Sequence, residues 1–378
     1  MKAKRQLFFY VFIIIWSGLI IWNVVTPQKG FSEHENRYLA KFPPFAIDKL
    51  INGEFMKEVE EYINDQFVFR DSWILLKTNM ERFLLKQDIN SVYIAKDEYL
   101  IEKHNKEDVS FISAQKNKER LIEFLSKYGE LLGKDRVYAM LVPTASNILK
   151  DKLPIYASDY DQNAYIDSLL HSIEANNLID IRDVLEKHKE EYIYYRTDHH
   201  WTSLGAYYAY ETWARKVGIT PLSLKDFNVN VISKSFYGTL HSKLNINIKA
   251  DEIHLYEYKK DMNYELLYNL TDRKDSLYDY SKLFGKDKYS VFFGGNHALV
   301  EVDTNLQNDR RLLVIKDSFA HSMVPFQVNH YEKTYMVDLR YFNGSIEGFI
   351  EENEITDVLV LYNTMNFVKD KYTSKLLY

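Results

Sequence analysis

The pattern of apolar and polar positions divides the chain into three stretches. The first shows no alternation: from Leu7 to Val25, nineteen consecutive residues (LFFYVFIIIWSGLIIWNVV) carry no charge. A helix of that length spans roughly 28 Å, close to the hydrocarbon thickness of a bilayer. In the second stretch, residues 46–86, Ile51, Phe55, Val59, Ile63 and Phe67 recur at helical spacing and predict amphipathic helices. β-formers on either side of Lys96-Asp97-Glu98 then predict a hairpin over 91–101, followed by a second amphipathic helix at 109–132. From residue 135 short apolar runs alternate with helical ones. Strands are expected at 136–142, 178–181, 192–196, 312–316, 334–338 and 357–362, with helices near 160–176, 203–217, 319–328 and 345–353. This rhythm predicts an α/β domain, a mostly parallel sheet covered on both faces. A segment rich in Tyr, Asn, Asp and Lys at about 222–308 breaks the rhythm and reads as an insertion. Nothing repeats with a period that would indicate a solenoid.

Charge orients the first stretch. Lys2, Lys4 and Arg5 precede it, whereas Lys29 and Glu33 follow. The positive-inside bias therefore makes 1–6 a cytoplasmic tail, 7–25 a transmembrane signal anchor and the remainder an extracytoplasmic part held at the cell membrane. VVTPQKG offers no small-x-small cleavage site, which favours an anchor over a cleaved signal peptide. The expected organisation continues with a helical and hairpin region over 31–134 and a catalytic domain over 135–378. A 46% hydrophobic, 27% charged chain has ample material for such a core. The net charge of −6 argues against a nucleic-acid partner, whose phosphates would demand Lys and Arg. With no cysteine, thiolate zinc sites and disulfides are excluded. Thirty tyrosines and five tryptophans supply rings for packing, with sugar stacking as the alternative use.

In an open α/β sheet, chemistry collects where strands end. Leu313-Val-Ile-Lys-Asp-Ser318-Phe-Ala-His321 is a strand that ends in Asp-Ser and turns into a helix, a geometry that exposes a serine hydroxyl beside unpaired helix-start amides. Such a hydroxyl needs a base. Thr197-Asp198-His199-His200-Trp201 supplies one: if the backbone turns, Asp198 holds one ring nitrogen of His200 and leaves the other for Ser318. His321, one helical turn beyond Ser318, has no acid in its own motif and is the lesser candidate base. His199 points elsewhere and reads as a hydrogen-bonding residue. Asn296, in Gly294-Gly295-Asn296-His297, is a candidate oxyanion donor, with a plain β-turn as the competing explanation. Trp201 reads as packing beneath the site or as a sugar platform, and Arg340 as a contact to an anionic substrate or a solvated surface charge.

The Asp198-His-His-Trp201 motif resembles that of the DHHW protein family and of the alginate O-acetyltransferases of the AlgJ and AlgX type. The resemblance extends to Glu35-Asn-Arg37-x-Leu-Ala-x-Phe-Pro43, Asp65-Gln-Phe-x-Phe-Arg70, Val142-Pro-Thr144 and Lys316-Asp-Ser-Phe319, in that order along most of the chain beyond the anchor. It implies an SGNH-hydrolase-like three-layer sandwich in which Asp198, His200 and Ser318 are the triad. It also implies O-acetylation of an exported polysaccharide, no cofactor, and a multipass membrane acyltransferase as the acetyl-donating partner. Two features depart from the common SGNH pattern: acid and base precede the serine, and the turn reads Lys-Asp-Ser rather than Gly-Asp-Ser. The permuted order matches the alginate-type proteins. Two other classes stand beside this reading, a non-catalytic polysaccharide-binding or secretion-scaffold protein and a metal-dependent DHH phosphoesterase. The second lacks the additional Asp and His ligands that a two-metal site requires.

Overall fold

The computed structural model describes residues 2–32, 37–172 and 177–378, which fall into two compact units. The first comprises residues 1–86 with 242–247. It opens with the helix Lys2–Val25, within which the twenty residues Gln6–Val25 are long and apolar enough to cross a membrane and are not buried in the protein. Short helices follow at Ile47–Ile51, Glu54–Gln66 and Arg70–Phe83. The Asp65-Gln66 pair fixes the chain that leaves the first helix. Gln66 Nε2 donates to the carbonyls of Lys29 and Ala40, both at 3.0 Å, and its Oε1 accepts from the Lys29 N–H at 3.0 Å. Asp65 Oδ2 accepts from the Ala40 N–H at 2.8 Å. Part of the Glu35–Pro43 motif, residues 33–36, lies outside the described residues, as does the end of the helix expected at 160–176.

The second unit comprises residues 87–241 with 248–378 and is built on a seven-stranded sheet. In chain order its strands are β1 (Val137–Val142), β2 (Tyr264–Tyr268), β3 (Asp272–Lys274), β4 (Leu299–Thr304), β5 (Arg311–Lys316), β6 (Lys333–Val337) and β7 (Asp357–Asn363). In space they run β3-β2-β4-β6-β5-β7-β1. Residues alternate between the two faces with the period of a strand: Leu312 and Val314 join one hydrophobic cluster, Leu313 and Ile315 the other. One cluster is covered by the helix Ser203–Lys216 and the short helix Val324–Gln327. The other is covered by Phe111–Leu132, Gln162–Leu170 and Ile346–Glu352. Apolar residues on both faces of β1, β5 and β7 explain why these strands read as unbroken apolar runs.

The sheet is mixed rather than mostly parallel. Ladders β6-β5, β5-β7 and β7-β1 are parallel, whereas β3-β2, β2-β4 and β4-β6 are antiparallel. The antiparallel strands β2, β3 and β4 all come from the region around 222–308 that the sequence presents as an insertion; a further antiparallel pair there, Phe227–Phe236 with Asp251–Tyr258, stands apart from the main sheet. The segments 178–181 and 192–196 are not strands. Leu178 and Tyr194 each make one isolated bridge, to Ala139 and Trp201. Apolar β-formers there are consumed by core packing rather than by a ladder. The hairpin expected at 91–101 forms from Val92–Ile94 and Leu100–Glu102, joined by a third strand, Asp88–Ile89.

Candidate active site

Two local structures deliver the candidate residues. The first is a tight antiparallel turn at 193–202, pinned by the Tyr194–Trp201 bridge, by the Tyr195 N–H on the His200 carbonyl (3.2 Å) and by the Thr202 N–H on the Ile193 carbonyl (2.9 Å). Thr202 then caps the helix Ser203–Lys216 by accepting from the Gly205 N–H. The outer bend of the turn is held by Asp251, a fully buried carboxylate that accepts from the N–H groups of Arg196 and Thr197, both at 2.7 Å, from the Thr197 hydroxyl and from the Tyr192 phenol. Because the backbone bends here, Asp198 and His200 meet although they are only two residues apart. The Asp198 carboxylate accepts from His200 Nδ1 at 2.6 Å and from the His200 N–H at 3.0 Å.

The second is the end of β5, paired with β6 and β7 on its two sides. Asp317 is extended and Ser318 opens a single 3₁₀ turn, Ser318–Ser322. Asp317 does not face the base. Its carboxylate accepts from the N–H groups of Phe319 and Asn363, both at 2.9 Å, and from Asn366 Nδ2 at 2.8 Å, which welds the turn to the end of β7. The Phe319 amide is thereby occupied, whereas the Ser318 N–H makes no hydrogen bond among the described residues. Ser318 Oγ lies 2.7 Å from His200 Nε2. A hydroxyl, an imidazole and a carboxylate thus form one hydrogen-bonded line across residues far apart in the chain.

The line is buried at the acid end and partly open at the serine: Asp198 and His200 are buried and Ser318 is half-buried. Burial, reinforced by neighbouring His199, pushes the His200 imidazole down to about 4, so at neutral pH the ring is uncharged and Nε2 can accept the serine proton. Burial alone would raise Asp198. The adjacent His199 and His200, with the hydrogen bonds from His200 and the Thr239 N–H, outweigh it and hold the carboxyl well below its ordinary range.

Residues that the sequence did not single out complete the site. Tyr289 lies parallel to the His200 ring at 3.9 Å with 13° between planes, and its phenol donates to the Ser318 carbonyl at 3.0 Å. Thr239 donates to Asp198 Oδ2 through its N–H (2.9 Å) and hydroxyl (3.2 Å). Gly238 packs so closely that a Cβ there would sit 2.2 Å from the Asp198 Cβ. Nothing in the sequence marks Tyr289 among thirty tyrosines. Asn363, the last residue of β7, and Asn366, by contrast, have the spacing of a capping motif.

The other candidates fall away from the hydrogen-bonded line. His199 Nδ1 bonds Thr239 Oγ1 at 2.8 Å while its ring lies 3.9 Å from that of His200. His321 is buried and its Nε2 is 2.7 Å from Lys316 Nζ, not from Ser318. Trp201 is fully buried and donates to the Phe319 carbonyl at 2.9 Å, so it packs beneath the site and offers no face to a sugar. Asn296 is exposed and its Oδ1 accepts from Arg340, which is itself clamped on Asp338 at 2.9 and 2.6 Å. Among the described residues neither Asn296 nor Arg340 hydrogen-bonds to Asp198, His200 or Ser318. Asp198, His199 and His200 also present ligand atoms within 4.8 Å of one another, the spacing of a metal site. Both carboxylate oxygens of Asp198 accept hydrogen bonds, and among the described residues no further His, Asp or Glu joins the group, so it lacks the additional ligands that a two-metal site requires.

A serine at the end of a strand in an α/β sheet, hydrogen-bonded to an imidazole that a carboxylate holds in turn, is an arrangement capable of nucleophilic acyl chemistry. The chain belongs to the DHHW protein family, whose model matches residues 99–337. A crystal structure of a DHHW family protein from Eubacterium siraeum is 27% identical with a TM-score of 0.62, over 76% of this chain and 95% of that one. Bacillus cereus PatB1, solved with a sulfonyl adduct, shares the fold at 20% identity and a TM-score of 0.61, over 75% and 99% of the two chains. The O-acetyltransferase domain of Pseudomonas putida AlgJ aligns at 13% identity with a TM-score of 0.45, over 76% and 98%. No curated protein matches the chain significantly.

Proposed function

We propose that this protein is a membrane-anchored, extracytoplasmic acyl-transfer enzyme of SGNH type that adds acetyl groups to, or removes them from, a cell-surface or exported polysaccharide through an acetyl-serine intermediate. The observation that carries this reading is the line Asp198–His200–Ser318, with contacts of 2.6 and 2.7 Å. Ser318 Oγ attacks the carbonyl carbon of an acetyl ester as its proton passes to His200 Nε2, and Asp198 holds the ring in the required tautomer and stabilises the imidazolium. The Ser318 N–H, without a partner among the described residues, donates to the oxyanion that forms. Collapse expels the donor alkoxide, which takes the proton from His200, and leaves acetyl-Ser318. A sugar hydroxyl then delivers its proton to His200 and attacks the acetyl carbon, and Ser318 Oγ leaves, taking that proton back from His200. Water in place of the sugar makes the same cycle an esterase.

The uncharged helix Gln6–Val25, with Lys2, Lys4 and Arg5 before it, supports an anchor with the second unit outside the cell. There a multipass membrane acyltransferase supplies acetyl groups to Ser318. The test uses a sulfonyl fluoride and an activated acetyl ester on the full chain in lipid. Intact mass should show a single sulfonyl or acetyl group on Ser318, and Ser318→Ala should abolish it while lowering turnover on the order of 10⁴-fold or more. Equal behaviour of wild type and Ser318→Ala would leave a polysaccharide-binding or scaffold role. Turnover that follows bound metal and not Ser318 would point to a phosphoesterase.

A further inference from the structure

Beyond the membrane-length helix, the first unit carries a second apolar surface on the helix Arg70–Phe83 and its flanks. Phe69, Trp73, Leu76, Met80, Phe83 and Leu84 are between 45% and 87% exposed. At 3.6 residues per turn these six positions fall within an arc of about 100°, a single stripe along the helix. The other side of the helix faces protein: Thr78 is buried and Ile74 and Leu75 are half-buried. Six large apolar side chains left in water on one helix face mark a contact surface.

The stripe begins at the outer end of the membrane-length helix. The Phe69 ring meets the Trp22 ring edge-on, centroids 4.9 Å apart and planes 82° apart, and the Val68 N–H donates to Asn23 Oδ1 at 3.0 Å. Trp22 and Asn23 are in the last turn of that helix, the level at which tryptophan sits at a bilayer interface. We propose that the helix Arg70–Phe83 lies in the plane of that interface with its apolar stripe among the acyl chains, so that its partner is the lipid surface of the membrane the first helix crosses. The proposal rests on the anchor reading above. The continuous path from Trp22 through Phe69 to Trp73 and Leu76 selects lipid over a second protein, and Lys77, bordering the stripe, faces the phosphate layer as in other in-plane helices.

The absence of cysteine allows a direct test. Single nitroxide labels are placed in the full chain through Leu76→Cys and Met80→Cys on the stripe, Asn79→Cys and Arg82→Cys off it, and Ile14→Cys within the anchor. Each is reconstituted in phosphatidylcholine and phosphatidylglycerol vesicles, and collision with oxygen is compared with collision with a water-soluble nickel chelate. Labels at 76 and 80 are expected about 5–10 Å below the phosphates, with those at 79 and 82 on the water side. Three results overturn the proposal: access of the chelate to 76 and 80 equal to that at 82, exclusion of both reagents with spin–spin broadening from a second copy, or exclusion of both without broadening. The label at 14 separates this proposal from the anchor reading. If it reports the bilayer core while 76 and 80 do not, only the in-plane helix fails; if it too is open to the chelate, the anchor reading fails.

Discussion

Asp198 fills both of its oxygens with donors: His200 Nδ1 and N–H on one, Thr239 N–H and hydroxyl on the other. A carboxylate so fixed can hold only one tautomer of His200, with the proton on Nδ1 and the lone pair of Nε2 toward Ser318. Turnover requires that lone pair. Since burial lowers the ring from 6.5 to about 4, the competent neutral form persists well below the pH at which an exposed histidine would be half charged and disappears as pH falls through about 4. A profile of kcat/KM against pH for a soluble acetyl ester is expected to show its acid limb near that value, since kcat/KM reports the free enzyme; a limb at the ordinary histidine value would contradict the burial argument. Gly238 gives a second test. A methyl group there meets Asp198 at 2.2 Å and must displace it, so Gly238→Ala should lower kcat by about 100-fold with an unchanged circular dichroism spectrum. The meeting of Ser318, His200 and Asp198 was legible in the sequence because it depends on residue type and on a serine set at a strand end. Tyr289 was not, because stacking against His200 depends only on where a distant turn places it.

At the scale of elements, the turn that carries Asp198 and His200 is fastened by Asp251, the first residue of the strand Asp251–Tyr258. Two backbone N–H groups, Arg196 and Thr197, depend on that carboxylate. Asp251→Asn presents an NH₂ group to donors on one side and leaves at least one of them unpaired. The expected cost is about 1–3 kcal/mol, read from denaturant midpoints, with a parallel fall in turnover as the turn loosens. The strands β1, β5, β6 and β7 were legible as short apolar runs because both of their faces are covered. The strand Phe227–Phe236 buries only its ends and Ser233, so its sequence carries no alternating stripe and resembles a loop. Residues 178–181 and 192–196 mislead for the opposite reason: they have strand composition, but each makes one bridge and then turns into the core.

For the whole molecule, the charge-free stretch from Leu7 stood out by length and composition alone, being long enough to cross a bilayer. The direction of each ladder was hidden, since the same apolar β-formers serve parallel and antiparallel pairs, and β4 meets β6 antiparallel while β5 meets it parallel. The ladder of β1 is the more consequential feature. Residues 137–142 pair in the sheet with residues 358–363, apart from the single bridge of Ala139 to Leu178, and Asp317, the neighbour of Ser318, is held by Asn363 and Asn366. The first strand of the sheet and the turn at Ser318 are thus both fastened to its last strand. Removal of residues 357–378 is therefore expected to take away the ladder partner of β1 and the clamp beside Ser318 together, so that sheet packing and the placement of that hydroxyl fail as one.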